Sequence, residues 1–528
     1  MMRASQRSSA LAQNGMVATP HELATRAGLD ALRDGGTAAD AVVAANAVLT
    51  VIYPDQTAIG GDCFFLVYDA EMSELHGFNG SGRAPAAADR EQLLAAGYTQ
   101  MPTRGIYSVT VPGTIDAWDQ LACCYGCLGL DRLLQPAIGY ARDGFPASPA
   151  FANRLLSASE VIAGSDYLRS IYLANGTLPA AGDQIRVPAL ADSLDLISRE
   201  GRDAFYTGAL AEAIVSTSDR LGGWLTADDL AGHCGEWVTP LTTTYRGVTV
   251  AELPPNSQGL TSLIGLNLVE QVALPESWGS ADHLHPLIEA KKLSFAVRDQ
   301  LLTDPDFAPI DTAKLASKSF ATELWRTYDS ARAMTGTAAI DGDTVYLCAV
   351  DRDGNAASLI QSLYMSFGSG VVAGDTGITL QNRGAYFSLD AGHVNRLEGG
   401  KRTLHTLMPA MLLRDGQLLG PIGTQGGDAQ AQVHLQLIPD LVDYGFAPQQ
   451  AIDAPRWLSG GGGSLAVALE ASIPAETERA LAARGHLVSR VQDWDPNFGH
   501  AQMILRDRER GHLTGGADPR ADGLALGY

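Results

Sequence analysis

The tripeptide Gly342-Asp343-Thr344 runs straight into TVYLCAV (344–350), the turn DRDGN (351–355) and AASLIQSLY (356–364). Two apolar segments on either side of a short polar turn predict a strand–turn–strand unit. Both strands are apolar on both faces, which is typical of a sheet that is covered on each side. Residues 326–343, which precede them, are small and polar and are the best candidate in the chain for a flexible segment.

Downstream of this unit, strands and helices are predicted to alternate. MPAMLLRDG (408–416), SLAVALE (464–470) and HAQMILRD (500–507) are predicted strands, and 428–445 and 475–485 are predicted helices. The glycine run 460–463 is predicted to be a surface loop. Sheets with helices outside them indicate an α+β fold arranged as a four-layer αββα sandwich.

Upstream, two helix starts are indicated. Thr19-Pro20-His21-Glu22 predicts an N-cap at Thr19 followed by proline at the first helical position, and Thr37 with Asp40 predicts a capping box. CFFLVYD (63–69) is predicted to be a buried strand, and 105–325 is predicted to be mostly helical.

Composition excludes several classes of protein. The 528 residues carry a formal charge of −22, which argues against nucleic acid and anionic membranes as partners. Cys124 and Cys127 have the spacing of metal ligands, but no second pair completes a site, so no metal or other cofactor is predicted. The N-terminus lacks a secretory h-region, and no run approaches the ~20 apolar residues of a membrane helix. These features predict a soluble, cytoplasmic protein.

Thr344 is the residue with the most informative chemistry. A threonine hydroxyl is a poor nucleophile without a base, but a free α-amine on the same residue can serve as that base. Such an amine has a pKa of about 7.7–8, so a useful fraction is neutral at physiological pH. Attack by Thr344 on the preceding carbonyl would release the amine by cleaving the Asp343–Thr344 bond. Taken alone, Gly-Asp-Thr is better explained as an ordinary turn before a β-branched residue.

The surrounding motifs favour the catalytic interpretation. The segment 344–387 resembles the gamma-glutamyltransferase family of N-terminal-nucleophile hydrolases. Pieces that match the family pattern follow in order along nearly the whole chain: TAIGG (57–61), NGSGRAP (79–85), VPGT (111–114), ARDG (141–144), DRDGN (351–355), FGSG (367–370), GTQGG (423–427), APR (454–456) and ADPR (517–520). The resemblance implies the αββα fold of that class and a cut into a large fragment, 1–343, and a small fragment, 344–528, that stay associated as one globular unit.

The resemblance also implies roles for individual residues. Thr344 takes the place of the nucleophile and of the residue after the cut, and Ser362 takes the place of a threonine that supports it. Gly426 and Gly427 match the pair whose backbone N–H groups form the oxyanion hole. Arg83 matches the arginine that holds the substrate α-carboxylate, a role that suits a bidentate guanidinium.

Five positions depart from the family pattern. Tyr364, Arg383 and Tyr386 stand where gamma-glutamyl enzymes have an asparagine, a glutamine and an aspartate that hold the substrate α-ammonium. His405 and Thr406 replace a serine pair. An acidic acceptor is lost and a cation is gained, so a substrate with an α-ammonium is disfavoured. Each new side chain except Thr406 is also bulkier than the one in the family pattern, which indicates a smaller pocket.

The sequence therefore predicts a self-processing amidase that cleaves the C–N bond of a small anionic amide. Oxamate, which would give oxalate and ammonia, is the best specific guess. Glutathione hydrolysis or gamma-glutamyl transfer, or acylase action on a larger amide, are alternatives in the same class. A non-catalytic binding protein of the same fold is a remote alternative, since a binder does not require Thr344, Ser362 and the glycine pair.

Overall fold

The strands of the protein were assigned in a computed structural model, which describes residues 7–174, 176–334, 342–460 and 465–528. They are β1 (Ala10–Ala12), β2 (Met16–Thr19), β3 (Asp62–Asp69), β4 (Glu74–Asn79), β5 (Phe145–Pro146), β6 (Gln184–Ile185), β7 (Glu236–Val238), β8 (Leu241–Tyr245), β9 (Val248–Glu252), β10 (Asp343–Val350), β11 (Ala356–Tyr364), β12 (Ala410–Arg414), β13 (Gln417–Thr424), β14 (Trp457–Ser459), β15 (Ala466–Glu470), β16 (Leu487–Val491), β17 (Ala501–Asp507), β18 (His512–Ala517) and β19 (Leu524–Gly527).

Helices occupy most of the remaining chain. They are α1 (Glu22–Arg33), α2 (Ala38–Ile52), α3 (Arg90–Ala95), α4 (Thr114–Tyr125), α5 (Leu130–Leu133), α6 (Gln135–Asp143), α7 (Pro149–Ser157), α8 (Ser159–Gly164), α9 (Asp166–Tyr172), α10 (Pro188–Glu200), α11 (Asp203–Tyr206), α12 (Ala209–Arg220), α13 (Ala227–Ala231), α14 (Gly259–Val269), α15 (Ala281–Leu301), α16 (Thr312–Leu315), α17 (Lys318–Trp325), α18 (Ala429–Val442), α19 (Pro448–Asp453) and α20 (Ala475–Ala483), with 3-10 turns at Ile106–Ser108, Arg383–Tyr386 and Pro496–Phe498.

Two seven-stranded antiparallel sheets organise the fold. One has the strand order β1-β18-β17-β13-β12-β9-β8, and the other has the order β19-β2-β10-β11-β3-β4-β7. β10 pairs with β2 on one side, and β11 pairs with β3 on the other. Strands that follow residue 343 are therefore hydrogen-bonded on both sides to strands that precede it.

Three apolar clusters hold these layers together. Tyr346 of β10 packs with Met411 and Ile504 of the other sheet, so the two sheets meet face to face. The alternate residues Val345 and Leu347 pack on the other face against α2 and its neighbours, as the two-residue period of a strand requires. The opposite sheet packs against α14, α15 and α18. The fold is α+β, and the prediction that β10 and β11 are covered on both faces is confirmed.

One of the two predicted helix starts is confirmed, and the other is wrong. The capping box of Thr37 and Asp40 is present at the start of α2. The first helix, however, is capped by His21, whose Nδ1 accepts from the Leu23 N–H, and not by Thr19. Thr19 belongs to β2, where its buried hydroxyl hydrogen-bonds to Thr25. Thr19 does not cap the helix, because it pairs within the sheet as the last residue of β2 and the helix begins three residues later.

The prediction that 105–325 is mostly helical was incomplete. Five strands lie within it: β5 and β6 pair with each other as a small separate sheet, and β7 to β9 complete the far edges of both large sheets. Part of the predicted flexible segment, 335–341, and most of the predicted glycine loop, 461–463, lie outside the described residues. Among the residues that are described, none of the helices has the length and apolar character needed to cross a membrane.

Candidate active site

Thr344 and Ser362 face each other across β10 and β11, and both are buried. The Thr344 hydroxyl donates to Ser362 Oγ at 3.1 Å, and the Ser362 hydroxyl donates to the backbone carbonyl oxygen of Asp343 at 2.5 Å. That carbonyl is the group that Thr344 would attack in self-cleavage. The chain of hydrogen bonds can polarise the carbonyl and carry a proton away from the threonine hydroxyl.

A bulge sets this geometry. The register of β10 and β11 shifts between Asp343 and Val345, so that one residue of β10 opposes two of β11. Tyr364 ends β11 with φ +80°, a left-handed conformation that costs a non-glycine residue roughly 1–3 kcal/mol. Its N–H donates to Ser362 Oγ at 2.7 Å. The irregular strand end thus fixes the Ser362 hydroxyl in place.

Gly426 and Gly427 lie in the turn between β13 and α18. Their φ values of +124° and +54° fall in the region that favours glycine, so this turn needs both of them. Gln258 supports it by donating through Nε2 to the Gly427 carbonyl at 3.0 Å. Arg298 bonds to both Gln258 and Asp428, the residue after the pair. Sequence analysis missed Gln258, Arg298 and Asp428, because they support the turn from distant parts of the chain.

Four of the residues that depart from the family pattern come together. Arg383 is 1% exposed, its guanidinium carbon lies 4.3 Å from the centre of the Tyr364 ring, and its Nη1 donates to Thr406 Oγ1 at 3.1 Å. The rings of Tyr364 and Tyr386 are 5.5 Å apart, and the Tyr386 hydroxyl donates to Asp428 at 3.0 Å. The predicted cation therefore lies inside the protein against Tyr364 of β11, and Tyr386 links this group to Asp428 beside the glycine turn.

His405, predicted to bind substrate, has both ring nitrogens engaged within the protein. Its Nδ1 accepts from the Leu407 N–H at 3.2 Å, so Nε2 carries the proton and donates to Asp62 Oδ2 at 3.0 Å. Burial lowers the pKa of His405 well below its usual range and raises the pKa of Asp62 to about 7. Because both nitrogens of the buried, neutral His405 bond to the protein, this side chain is suited to holding its own loop in place. Of the predicted pair, Thr406 is then the residue whose polar group faces Arg383.

Arg83, predicted to hold a substrate carboxylate, is surrounded by carboxylates of the protein. It contacts Asp304 at 3.1 Å, Asp306 at 2.8 Å and Glu236 at 3.3 Å. Burial lowers the pKa of Arg83, but the three acids outweigh this effect and raise it. Its side chain remains 33% exposed. The structure therefore places Arg83 in an ionic cluster that already neutralises its charge.

A second arginine that sequence analysis missed lies beside the cleavage residue. Arg104 donates through Nη1 to the carbonyls of Ser366, at 2.6 Å, and Gly368. Burial lowers the pKa of Arg104, and the Asp343 carboxylate opposes this shift. A single arginine in a loop gives no sequence signal for such a position.

A cleft of ≈ 610 Å³ opens next to Gly342, Asp343 and Gly426.

One buried group among the described residues could converge on a metal ion, and it lies in helix α15 and the turn before β16. It consists of His285, Glu289 and His486. The two histidines hydrogen-bond to each other at 2.9 Å, and Lys292 donates to Glu289 at 2.7 Å. His486 Nδ1 has no hydrogen-bond partner among the described residues, but a lysine cation is already bound to Glu289, and we assign the group no chemical step.

The family model described as gamma-glutamyltranspeptidase matches residues 24–528. This match defines the class of the protein, a hydrolase of carbon–nitrogen bonds that is made as a self-processing proenzyme. The chain therefore belongs to the gamma-glutamyltranspeptidase family and has the fold of its N-terminal-nucleophile hydrolases.

Individual relatives cover the chain almost completely. The glutathione hydrolase-like YwrD proenzyme of Bacillus subtilis (strain 168) is 44% identical over 98% of this chain and 99% of the relative. The oxamate amidohydrolase proenzyme of Klebsiella pneumoniae is 37% identical over 99% of this chain and 100% of the relative. The crystal structure of cephalosporin acylase from Bacillus halodurans superimposes with a TM-score of 0.94 at 41% identity, covering 100% of this chain and 98% of that one.

We expect Ser362→Ala to slow cleavage of the precursor about tenfold, because the Asp343 carbonyl loses a hydrogen bond worth roughly 1 kcal/mol or slightly more. The half-time of cleavage after expression or refolding, followed on denaturing gels, measures this. Ser358→Ala is the matched control, since Ser358 lies on the same strand, is equally buried and bonds to Tyr346 instead. Ser362→Thr restores a hydroxyl and should restore the rate. Equal half-times for the two alanine variants would contradict the role of Ser362.

Proposed function

We propose that the chain cuts itself between Asp343 and Thr344, and that Thr344 then hydrolyses a small anionic amide. The observation that carries this proposal is the Ser362 hydroxyl, which is shared between Thr344 Oγ1 and the Asp343 carbonyl oxygen. A non-catalytic binding protein has no need of that arrangement. Oxamate, giving oxalate and ammonia, is the specific substrate that we propose.

Self-cleavage balances without any added reagent. Thr344 Oγ1 attacks the carbonyl carbon of Asp343, the C–N bond breaks, and the acyl group moves from nitrogen to oxygen as an ester. Water then hydrolyses the ester, which leaves a carboxylate on Asp343 and a free α-amine on Thr344. That amine is the base that the hydroxyl previously lacked.

Turnover uses the same atoms. The α-amine takes the hydroxyl proton as Thr344 attacks the amide carbonyl, and the proton passes to the departing amine. The backbone N–H groups of Gly426 and Gly427 are suited to stabilise the oxyanion. Water releases the acid from the acyl ester, again with the α-amine as base.

The proposed fragments, 1–343 and 344–528, would stay together after the cut. Strand β10 would remain bonded to β2 and strand β11 to β3, so both fragments contribute to one sheet. Helices on the outer side of each sheet and an apolar layer between the sheets support the four-layer αββα arrangement. No part of the site needs a cofactor in this mechanism.

The buried Arg383 supports an anionic substrate, because a fixed cation against Tyr364, whose N–H bonds to Ser362, favours an anion and opposes an ammonium. The 37% identical relative, by its name an oxamate amidohydrolase, supports the short substrate. Two observations favour alternatives. The 44% identical relative is named glutathione hydrolase-like, and the ≈ 610 Å³ cleft beside Asp343 offers room for a larger amine, as in an acylase.

Trapping the acyl-enzyme tests the function. Processed protein is mixed with excess oxamate, quenched in acid within milliseconds to seconds and measured by intact mass. We expect the small fragment that begins with Thr344 to gain the mass of one oxalyl group, while the large fragment is unchanged. Ammonia release without any adduct on the small fragment, or an adduct elsewhere, would contradict the mechanism.

A further inference from the structure

Among the described residues, one edge of the Arg383 guanidinium has no hydrogen-bond partner. Nη1 bonds to Thr406, but Nε and Nη2 are buried and make no hydrogen bond within the part of the chain that the structure describes. Burial lowers the pKa of Arg383, and the nearest charged and phenolic groups offset this only in part. A buried cation with two unsatisfied donors is costly unless a ligand completes it.

The shape of that edge restricts the ligand. The N–H bonds of Nε and Nη2 point in parallel from one side of the planar guanidinium, which is the geometry that accepts the two oxygens of a carboxylate. The Tyr364 ring against which the guanidinium lies, and the bond to Thr406, prevent the side chain from turning away. The donors are therefore held in one orientation before a ligand arrives.

The site is close to the reacting atoms. Tyr364 contacts Arg383 through its ring and Ser362 through its N–H, and Ser362 contacts Thr344. A single residue thus separates the guanidinium from the Thr344–Ser362 pair. A carboxylate on this edge would belong to a substrate with few atoms between its carboxylate and its scissile carbonyl.

We propose that the Nε–Nη2 edge of Arg383 is the carboxylate anchor of the substrate site, and that Arg83 is part of the scaffold. The ligand class is the monoamide of a short dicarboxylic acid. This inference rests on the proposed function for the identity of the substrate. Arg83 is a poor anchor, because Asp304, Asp306 and Glu236 already surround it, and an arriving carboxylate would meet three like charges.

Binding of oxalate and malonate to processed protein tests the anchor without any turnover. We expect Arg383→Gln to weaken the binding of oxalate roughly ten- to a hundredfold by calorimetry, the loss expected for a charged bidentate contact. Arg383→Lys keeps the charge without the paired donors and should recover only part of the affinity. Arg83→Gln tests the competing anchor and should change the Kd of oxalate less than twofold.

Thermal melts and gels verify that each variant is folded and cleaved, and Arg383→Lys serves if Arg383→Gln does not fold. Loss of oxalate affinity in Arg83→Gln, or none in the folded Arg383 variant, would overturn the inference. Failure of the proposed function looks different: oxalate would still bind through Arg383 while oxamate is not hydrolysed. A KM for oxamate that rises with the Kd of oxalate, at similar kcat, would support both.

Discussion

Thr344→Ala should purify as one uncut chain of 528 residues with no amidase activity, whereas the wild-type protein should resolve into pieces of 343 and 185 residues. Alanine has no hydroxyl to attack the Asp343 carbonyl, so neither the ester nor the free α-amine can form. Loss of a catalytic nucleophile typically lowers kcat by about 10⁶, which is below detection in most amidase assays. Denaturing gels, intact mass and N-terminal sequencing of the small piece measure the result.

Thr344→Ser is the control, because it keeps the hydroxyl and should still be cut at the same bond. The substitution to alanine removes few buried atoms, so an unfolded Thr344→Ala protein is not expected, and a melting temperature near that of the wild type would verify this. Cleavage in Thr344→Ala, or an active wild-type enzyme whose Asp343–Thr344 bond is intact, would contradict the mechanism.

The strands around the cut could be predicted because their signal is local. β10 and β11 are apolar on both faces and joined by a turn, and burial on both sides follows directly from that pattern. The segment TTTYRGVTVAE (242–252) has the β-branched residues of β8 and β9, yet it lies within a span dominated by helices. Its strands form because they complete a sheet whose other members lie far away in the chain.

The charge balance of the site depended on long-range contacts and was less predictable. The arrival of a cation at Arg383 could be read from the sequence, and the structure places that cation inside the protein. The partners of Arg83 could not be read, because Asp304 and Asp306 are separated from it by 221 and 223 residues. Nothing in a single sequence distinguishes an arginine that binds a substrate from one that forms ion pairs with three carboxylates of the protein.

We expect the same charge balance to determine which amide the enzyme prefers. In a gamma-glutamyl amide the carboxylate lies three carbons from the scissile carbonyl, with an ammonium beside it. In oxamate the carboxylate is bonded directly to the scissile carbon, and there is no ammonium. The buried Arg383 would attract the anion of oxamate and repel the ammonium, and the Tyr364 ring, which lies against Arg383 and Gly342, would leave less room for a three-carbon spacer.

We therefore expect kcat/KM for oxamate to exceed that for gamma-glutamyl anilides or glutathione by at least about a hundredfold. An unpaired ammonium in a desolvated site costs roughly 1–3 kcal/mol or more, and a poorly fitting spacer adds a cost of similar size. Ammonia release measures turnover of oxamate. Release of the aniline measures turnover of the anilides, and cleavage of the γ-glutamyl bond measures turnover of glutathione. Acetamide, which is small and uncharged, separates the two causes: slow turnover of acetamide assigns the preference to charge, since size alone would admit it. Equal kcat/KM for oxamate and gamma-glutamyl compounds would instead mean that Arg383 does not face the acyl group, and would favour glutathione hydrolysis.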